Sequence, residues 1–494
     1  MARIWESLLG CKCNRGALAC FLQRNRVALA ILDLSLWQLL ALIQHEMLLF
    51  AGVFFLIGAA DEMAIDAVWL WLKATGRAKT PSLNRKTLER FNPRRPIAVF
   101  IPTWDEATII EETIAHTLKA WPQAQMRLYV GCYRNDGATM AAIMRAASGD
   151  TRVRLVVHDR DGPTTKADCL NRLCCAMQDD EQRLGQGFAG VVFQDAEDIV
   201  DPAALGLMAS ALEDGVDFAQ LPVEPLAQAD SRWIGSHYCE EFAEAHAKAM
   251  VVRDALGAGL PGAGVGCAVS RAALERLSLN GLPFSEDSLT EDYELGLAVA
   301  EQGGTCRFIR ARGDDGRLIA TRAHFPARLD LAVRQKTRWL HGIALQGWDR
   351  TGWSKGWIEA WMRARDRRGP LTALVLLVGY SLIAVTMVGW GALALGSGEP
   401  LALSPLVTFL LYANLAAFAW RALLRFIFTA RIYGLVEGLR AVLRIPVANT
   451  IAIMAGRRAV FAYVRTLLGG ATRWDKTPHS PQPIYPGALP VGSA

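Results

Sequence analysis

The chain has 494 residues, 53 Lys and Arg against 48 Asp and Glu for a formal net charge of +5, and a hydrophobic share of 52% with positive mean hydropathy. That length leaves room for two or three domains; so large an apolar share argues against a wholly soluble protein, and so small a net charge argues against a general affinity for nucleic acid. Ten cysteines occur without a paired Cys-x-x-Cys framework or His partners at zinc spacing, which points to reduced cytosolic thiols, and Cys11-x-Cys13 with Cys20 lacks a nearby fourth ligand for a metal.

Near the N-terminus, the apolar run Val27 to Gln44 carries Asp33, while Met47 to Ala60 is cleanly apolar but short and runs on into Asp61, Glu62 and Asp66. Arg24 and Arg26 before these runs and Lys73, Arg77 and Lys79 after them favour two spans with both ends inside. A single span followed by an interfacial amphipathic helix serves nearly as well. The first apolar run starts late and lacks a small-residue cleavage site, so no cleavable signal is expected.

From Asn92 to Asp330, short apolar runs alternate with helical segments, the pattern of an α/β domain. Ile97-Ala-Val-Phe-Ile101 leads into Pro102-Thr-Trp-Asp-Glu106, and Arg127-Leu-Tyr-Val-Gly131 into Asn135-Asp-Gly137. Val153-Arg-Leu-Val-Val157 and Gly190-Val-Val-Phe-Gln194 repeat the arrangement. Ligands bind at the carboxyl ends of strands in open parallel sheets. A single Asp after a strand more often caps the next helix, but polar or acidic endings on successive strands point to a site. Gly257 to Gly266 holds five glycines, a backbone that can approach a ligand closely.

Further on, Trp353, Trp357 and Trp361 recur at four-residue spacing among Arg and Lys, which predicts a helix lying in the headgroup region. No charge interrupts Gly369 to Gly398 or Leu401 to Trp420, and Glu399-Pro400 breaks the two runs. Each exceeds or matches the roughly 20 residues that a spanning helix needs, so a transmembrane hairpin is expected. Arg363, Arg365, Arg367 and Arg368 on one side and Arg421, Arg425 and Arg431 on the other place both of its ends in the cytoplasm. Arg440 to Gly469 mixes apolar residues with Arg444, Arg457, Arg458 and Arg465, as an amphipathic or re-entrant helix or a peripheral anchor would, and the tail from Thr472 is Pro-rich.

Six motifs stand in order between the apolar segments: Pro102-Thr-Trp-Asp-Glu106, Asn135-Asp-Gly137, Lys166-Ala-Asp-Cys-Leu-Asn171, Asp195-Ala-Glu-Asp198, Thr290-Glu-Asp292 and Gln335-Lys-Thr-Arg-Trp339. Their order resembles the processive branch of the family-2 glycosyltransferases, which includes cellulose and hyaluronan synthases. The resemblance covers most of the chain. It implies an α/β GT-A glycosyltransferase domain, nucleotide-binding and built on a mixed, mostly parallel sheet, inserted between transmembrane and interfacial helices. The expected division is a membrane region at 1–91, a cytoplasmic catalytic domain at 92–335, the Gln-x-x-Arg-Trp and interface helices at 336–369, the hairpin at 370–430, and amphipathic or re-entrant helices with the tail at 431–494.

The resemblance also assigns residues. Asp195 and Glu197 fill the Asp-x-Asp positions, Asp195 near the ribose and diphosphate and Glu197 nearer a Mg2+ or Mn2+. Glu in the second place departs from the usual Asp, and Asp198 is open as an added or replacement ligand, since hard cations accept either carboxylate. Asp136 and Lys166, with Thr103 and Glu106 nearby, are implicated in nucleotide recognition, with uridine the expected base. Asp292 matches the catalytic base that takes the proton of the acceptor hydroxyl, with Glu291 and Thr290 shaping the site. One base and no second nucleophilic carboxylate predict inversion at the anomeric carbon. Ser288-Leu-Thr-Glu291 also has the form of a capping box. Arg338 is expected to pair with the diphosphate, Trp339 to pack on the acceptor sugar, and Gln335 to orient either. The glycine-rich run matches an acceptor-contacting loop, and Trp474-Asp-Lys-Thr477 a substrate-gating segment.

The function expected from these residues is metal-dependent transfer from a UDP-sugar, with an N-acetylated hexosamine favoured, to a growing polysaccharide. The enzyme is expected to be multi-pass in the bacterial inner membrane, with its catalytic domain in the cytoplasm and a part in export. Single-sugar transfer to a lipid carrier and an inactive receptor or scaffold are the alternatives. Expected partners are the nucleotide-sugar, a glycan or lipid-linked acceptor, membrane lipids, an outer-membrane export partner and a cyclic-dinucleotide-binding regulatory chain, but no nucleic acid. Arg440-x-x-x-Arg444 hints at cyclic-dinucleotide binding, but no β-barrel motif accompanies it, so that site is expected on the partner chain.

Overall fold

The computed structural model describes residues 36–279, 281–396 and 402–470. Cys11, Cys13, Cys20, Arg24, Arg26, the first part of the Val27 to Gln44 run, the Glu399-Pro400 break and the Pro-rich tail with Trp474-Asp-Lys-Thr477 lie outside the described residues. The chain divides into two compact units, one drawn from Met1–Ala59 and Val375–Phe418, the other from Ala60–Leu374 and Ala419–Ala494.

Helix α1 (Leu36–Ala74) is continuous. The sequence favoured two spans here, but nothing between Gln44 and Met47 breaks a helix, and the acids at its far end find partners. In the second unit Arg365 binds Asp61 and Glu62, Arg368 binds the same two carboxylates, and Lys248 Nζ stands 2.5 Å from Asp66. In the first unit, small residues let helices approach: a Cβ on Gly52 would meet Leu410 and one on Gly379 would meet Phe55.

The second unit is built on a seven-stranded sheet. Its strands are β1 (Ile97–Pro102), β2 (Met126–Tyr133), β3 (Val153–His158), β4 (Gly190–Phe193), β5 (Phe218–Gln220), β6 (Cys267–Ser270) and β7 (Cys306–Phe308), in the order β3-β2-β1-β4-β6-β5-β7. Only β6 runs antiparallel to its neighbours. Strand β1 is buried along its whole length, as a central parallel strand with both faces covered should be. Its side chains alternate between two cores: Ile97, Val99 and Ile101 pack on one face, Ala98 and Phe100 on the other. In parallel register the carboxyl ends of β1, β2 and β4 open at one edge, from which the motif-bearing loops leave.

Three helices frame that edge, and a fourth follows them in the chain. Helix α2 (Lys166–Leu184) is capped by Thr165, whose hydroxyl accepts the Asp168 N–H at 3.2 Å. Helix α3 (Glu291–Glu301) begins at Thr290, which makes no side-chain cap. The expected capping box is therefore absent. Instead Ser288 Oγ accepts the N–H of Thr290, donates to Glu294 and accepts from Arg350. Helix α4 (Leu329–Trp339) carries Gln335, Arg338 and Trp339 and runs straight into a wider turn at Leu340–Gln346, where Gly342 lies directly against Thr290. Helix α5 (Trp357–Arg367) starts after Gly356, so Trp353 precedes it rather than sharing its face; Arg367 stacks on Trp348 and Trp353, and the Trp361 indole donates to Asp61.

Helices α6 (Gly369–Ala394) and α7 (Pro405–Tyr433) follow, and together with α1 they are long and apolar enough to cross a membrane. Helix α7 continues past Trp420 because Arg421, Arg425 and Arg431 are all good helix formers. Helices α8 (Leu435–Leu443) and α9 (Ile445–Leu467) form a pair bent by 50° that passes the same test only if taken as one broken span. Arg444 stands at the bend, fully buried, and binds Glu240 through Nε at 3.0 Å and Nη2 at 2.7 Å. It also donates to Glu437 and to the Arg232 carbonyl, and Arg440 pairs with Glu437. Of the Arg440-x-x-x-Arg444 pair, Arg444 thus serves the interior of the fold, while Arg440 stays partly exposed.

Candidate active site

A single cleft at the carboxyl edge of the sheet is lined by Glu106, Lys166, Asp195, Glu197, Asp198, Glu291, Asp292, Gln335, Arg338 and Trp339. These residues come from five of the six motifs. Lys166, at the first turn of α2, points its Nζ 2.6 Å from Asp195 Oδ1 and 3.8 Å from Glu291 Oε1. Burial opposes the charge on Lys166, but Asp195, Glu291 and Asp292 outweigh it and hold the ammonium above its ordinary range. The carboxylates are raised as well, which in their case disfavours the charged form. Burial and then the charge of Asp292 raise Glu291, with Lys166 opposing. Burial, helped by Asp195, raises Asp292 against Lys166, the Tyr293 N–H and Arg338.

Asp292 Oδ1 accepts the Tyr293 N–H at 2.8 Å. The glycine-rich run passes beside it: Gly264 has φ +81°, and a Cβ there would run into Asp292 Oδ2. Only a glycine lets this backbone lie against the carboxylate. On the opposite wall Arg338 makes no hydrogen bond or ion pair among the described residues. Its charge still reaches Asp292. Gln335 Oε1 and Thr290 Oγ1 are buried beside the cleft and bonded to nothing among the described residues, two polar atoms left for a ligand.

Asp195, Glu197 and Asp198 all line the cleft; Asp198 is the buried one and accepts the Asp195 N–H through Oδ2 at 2.7 Å. Burial, then the charges of Asp195 and Glu197, push Asp198 well above the usual carboxylate range. Among the described residues no group of three His, Cys, Asp or Glu is arranged as a metal cage. The crowded carboxylates of Asp195 and Glu197 suit a hard divalent cation that draws its other ligands from a diphosphate.

Thr103 and Asp136 lie outside the lining. Thr103 donates to the Gly131 carbonyl at 2.6 Å, tying β1 to β2. Asp136 caps the helix Gly137–Ala147 through the Thr139 N–H at 3.2 Å and accepts the Asp105 N–H at 2.6 Å. Both hold the loops on which Trp104 and Glu106 reach the cleft. The sequence also gave no notice of an aromatic wall: Phe242 and Phe325 line the cleft beside Trp339, with ring centroids 5.2 Å apart and Tyr238 packed behind them. Phe242 lies in a helix between β5 and β6 and carries no local motif, while the Trp of Pro102-Thr-Trp104 was visible but unassigned.

The family model described as glycosyltransferase like family 2 matches residues 93–342, half of the chain, and spans the entire cleft. The chain belongs to the family-2 glycosyltransferases. It is 31% identical over 463 residues to bacteriophage adsorption protein B of Escherichia coli K12 and, to the same extent, to bacteriophage N4 adsorption protein B of Escherichia coli O157:H7. Each alignment covers 87% of this chain and 61% of the relative, so this glycosyltransferase spans about three fifths of the length of the curated relatives it matches. Among solved structures, a mannosyltransferase from Pyrobaculum calidifontis in complex with GDP-Man and Mn2+ aligns with a TM-score of 0.50 at 18% identity, covering 84% of this chain and 99% of that one. The likeness extends the family assignment to the GT-A fold expected from the sequence.

Proposed function

We propose that this protein transfers a sugar from a nucleoside diphosphate sugar, with inversion, to a hydroxyl of an acceptor presented at a membrane. The observation that carries the reading is the cleft itself, where Asp292, a salt-bridged Lys166 and an Arg338 free of carboxylates among the described residues face one another. Asp292 takes the proton from the acceptor hydroxyl as its oxygen bonds to the anomeric carbon. The bond from that carbon to the diphosphate breaks on the opposite face. Arg338 receives charge developing on the diphosphate, and Lys166 holds the Asp195 carboxylate in place. Trp339, Phe242 and Phe325 offer apolar faces to the acceptor sugar and exclude water from its reacting side.

Asp195 and Glu197 would hold a Mg2+ or Mn2+, which supplies charge neutralisation at the diphosphate when bound. The mannosyltransferase neighbour was solved with Mn2+, which supports the choice of cation class. Uridine as the base, extension of a polysaccharide and a part in its export, and a catalytic unit on the cytoplasmic side of the bacterial inner membrane complete the proposal. The division at 1–91, 92–335, 336–369, 370–430 and 431–494 separates membrane-facing from catalytic parts in this reading.

The test is transfer and hydrolysis by detergent-purified protein against UDP- and GDP-sugars with Mg2+, Mn2+ or chelator. Long product from one UDP-sugar, dependent on the cation, is expected. A single-sugar lipid product would replace polymer synthesis by lipid modification, and nucleotide binding without turnover across donors and acceptors would sink the enzymatic reading.

A further inference from the structure

Helices α1 and α7 end side by side. The Trp69 ring meets Phe428 edge-on at a centroid distance of 5.3 Å, and about one turn beyond these residues stand Lys73 and Arg431. Lys73 feels the charges of both Arg431 and Arg310, the latter just after β7. Arg310 reaches Thr80 Oγ1 through Nη1 at 2.6 Å, while its Nε is buried and donates to nothing among the described residues.

None of these three cations pairs with a carboxylate among the described residues. Glu224, whose charge acts on Arg310, is bound to Arg322 at 2.7 Å. The acids earlier in α1 are taken as well, Asp61 and Glu62 by Arg365 and Arg368, and Asp66 by Lys248. Arg310 and Arg431 both oppose the charge on Lys73, and burial followed by Arg312 lowers Arg310 to about 10. An anion with several acceptor oxygens would relieve this and satisfy the Arg310 Nε.

The position of the cluster selects the anion. Two of its members close helices long and apolar enough to cross a membrane. Beside them Trp71 is half exposed and stacks on Arg77, an amphipathic pairing suited to the headgroup level. A soluble anion needs no such setting; a lipid phosphate does.

We propose that Lys73, Arg310 and Arg431 form a binding site for the phosphate of an acidic glycerophospholipid, apart from the catalytic cleft. The full chain, purified in neutral detergent, is titrated with phosphatidylglycerol, phosphatidylcholine and inorganic phosphate, with binding read by native mass spectrometry and by the shift in melting temperature. Phosphatidylglycerol should bind and stabilise where phosphatidylcholine does not. Combined Lys73→Gln, Arg310→Gln and Arg431→Gln should weaken that binding at least tenfold. Exchanging the exposed Arg94, Arg145 and Arg328 for Gln should leave it unchanged. If the triple variant does not fold, Arg431→Gln alone, at an exposed position, should still weaken it several-fold. Equal binding by the parent and folded cluster variants overturns the site. An equal response to inorganic phosphate replaces the lipid by a soluble anion and overturns the proposal.

Discussion

Asp292 and Arg338 stand on different elements, α3 and the end of α4, and the roles proposed for them separate in experiment. Asp292→Asn keeps the shape and the Tyr293 N–H contact but removes the proton acceptor. Transfer should fall by roughly 10²–10⁴-fold while nucleotide affinity, measured by calorimetry, stays near that of the parent; retained turnover would give the base to another group. Arg338→Ala should lower kcat/KM by about 10²-fold, about 3 kcal/mol of transition-state stabilisation, with the loss mainly in kcat. A near-neutral result would remove it from the site. At this scale the sequence was legible where chemistry dictates residue type: Lys166, Asp195 and Asp292, from three separate motifs, meet within one cleft. It was not legible for Thr103 and Asp136, because an Asp that ends a strand looks the same whether it faces a ligand or caps a helix. Nor could local pattern reveal Phe242 and Phe325, which only the tertiary fold brings together.

The pair α8 and α9 is held by the apolar packing of Ile451 and Ala455 on Tyr238, Ala332 and Val333 and by one buried guanidinium. Arg444 satisfies Glu240 with two hydrogen bonds, and Arg425 gives Glu240 a third at 2.9 Å. Replacing Arg444 with Met leaves Glu240 buried with two of these three hydrogen bonds gone. Loss of one member of such a pair costs about 3–5 kcal/mol, so a clear fall in melting temperature is expected, read from intrinsic fluorescence of the 15 tryptophans. Adding Glu240→Gln should recover part of the loss. No recovery would mean that Arg444 acts through packing alone. Such long-range pairing is what sequence pattern cannot report. Strands β1 to β4 were legible because each is a short apolar run with a polar ending, whereas β5, β6 and β7 are only three or four residues long and gave no such run; the apolar lengths of α6 and α7 marked two helices long enough to cross a membrane. The continuity of α1 was obscured because Asp61, Glu62 and Asp66 looked like the end of a span until Arg365, Arg368 and Lys248 came to meet them.

For the molecule as a whole, the buried titratable groups pull its acid stability in opposite directions. Burial lowers His237 and His246 to about 4, so between there and the ordinary His value the unfolded chain binds protons that the folded one refuses. Stability from these two groups is present above pH ~6.5 and is lost as pH falls. Glu291, Asp292 and Asp198 are raised, so from their ordinary values upward the folded chain binds the extra protons and stability from them is lost as pH rises. The cleft thus holds its carboxylates at a cost to the fold near neutrality. A melting curve of the parent mixes both trends, and paired variants separate them. His246 accepts the Val223 N–H through Nδ1 at 2.8 Å and sits among Phe242, Phe308 and the charge of Arg310. In His246→Asn the amide oxygen can keep that bond without titrating. Relative to its own stability at pH 8, this variant should lose less than the parent on going to pH 5, by up to about 2 kcal/mol. Glu291→Gln should do the reverse, gaining on the parent at pH 8 and losing that gain towards pH 5. Parallel curves for the parent and His246→Asn would mean that His246 is protonated in the folded protein, against the burial that surrounds it.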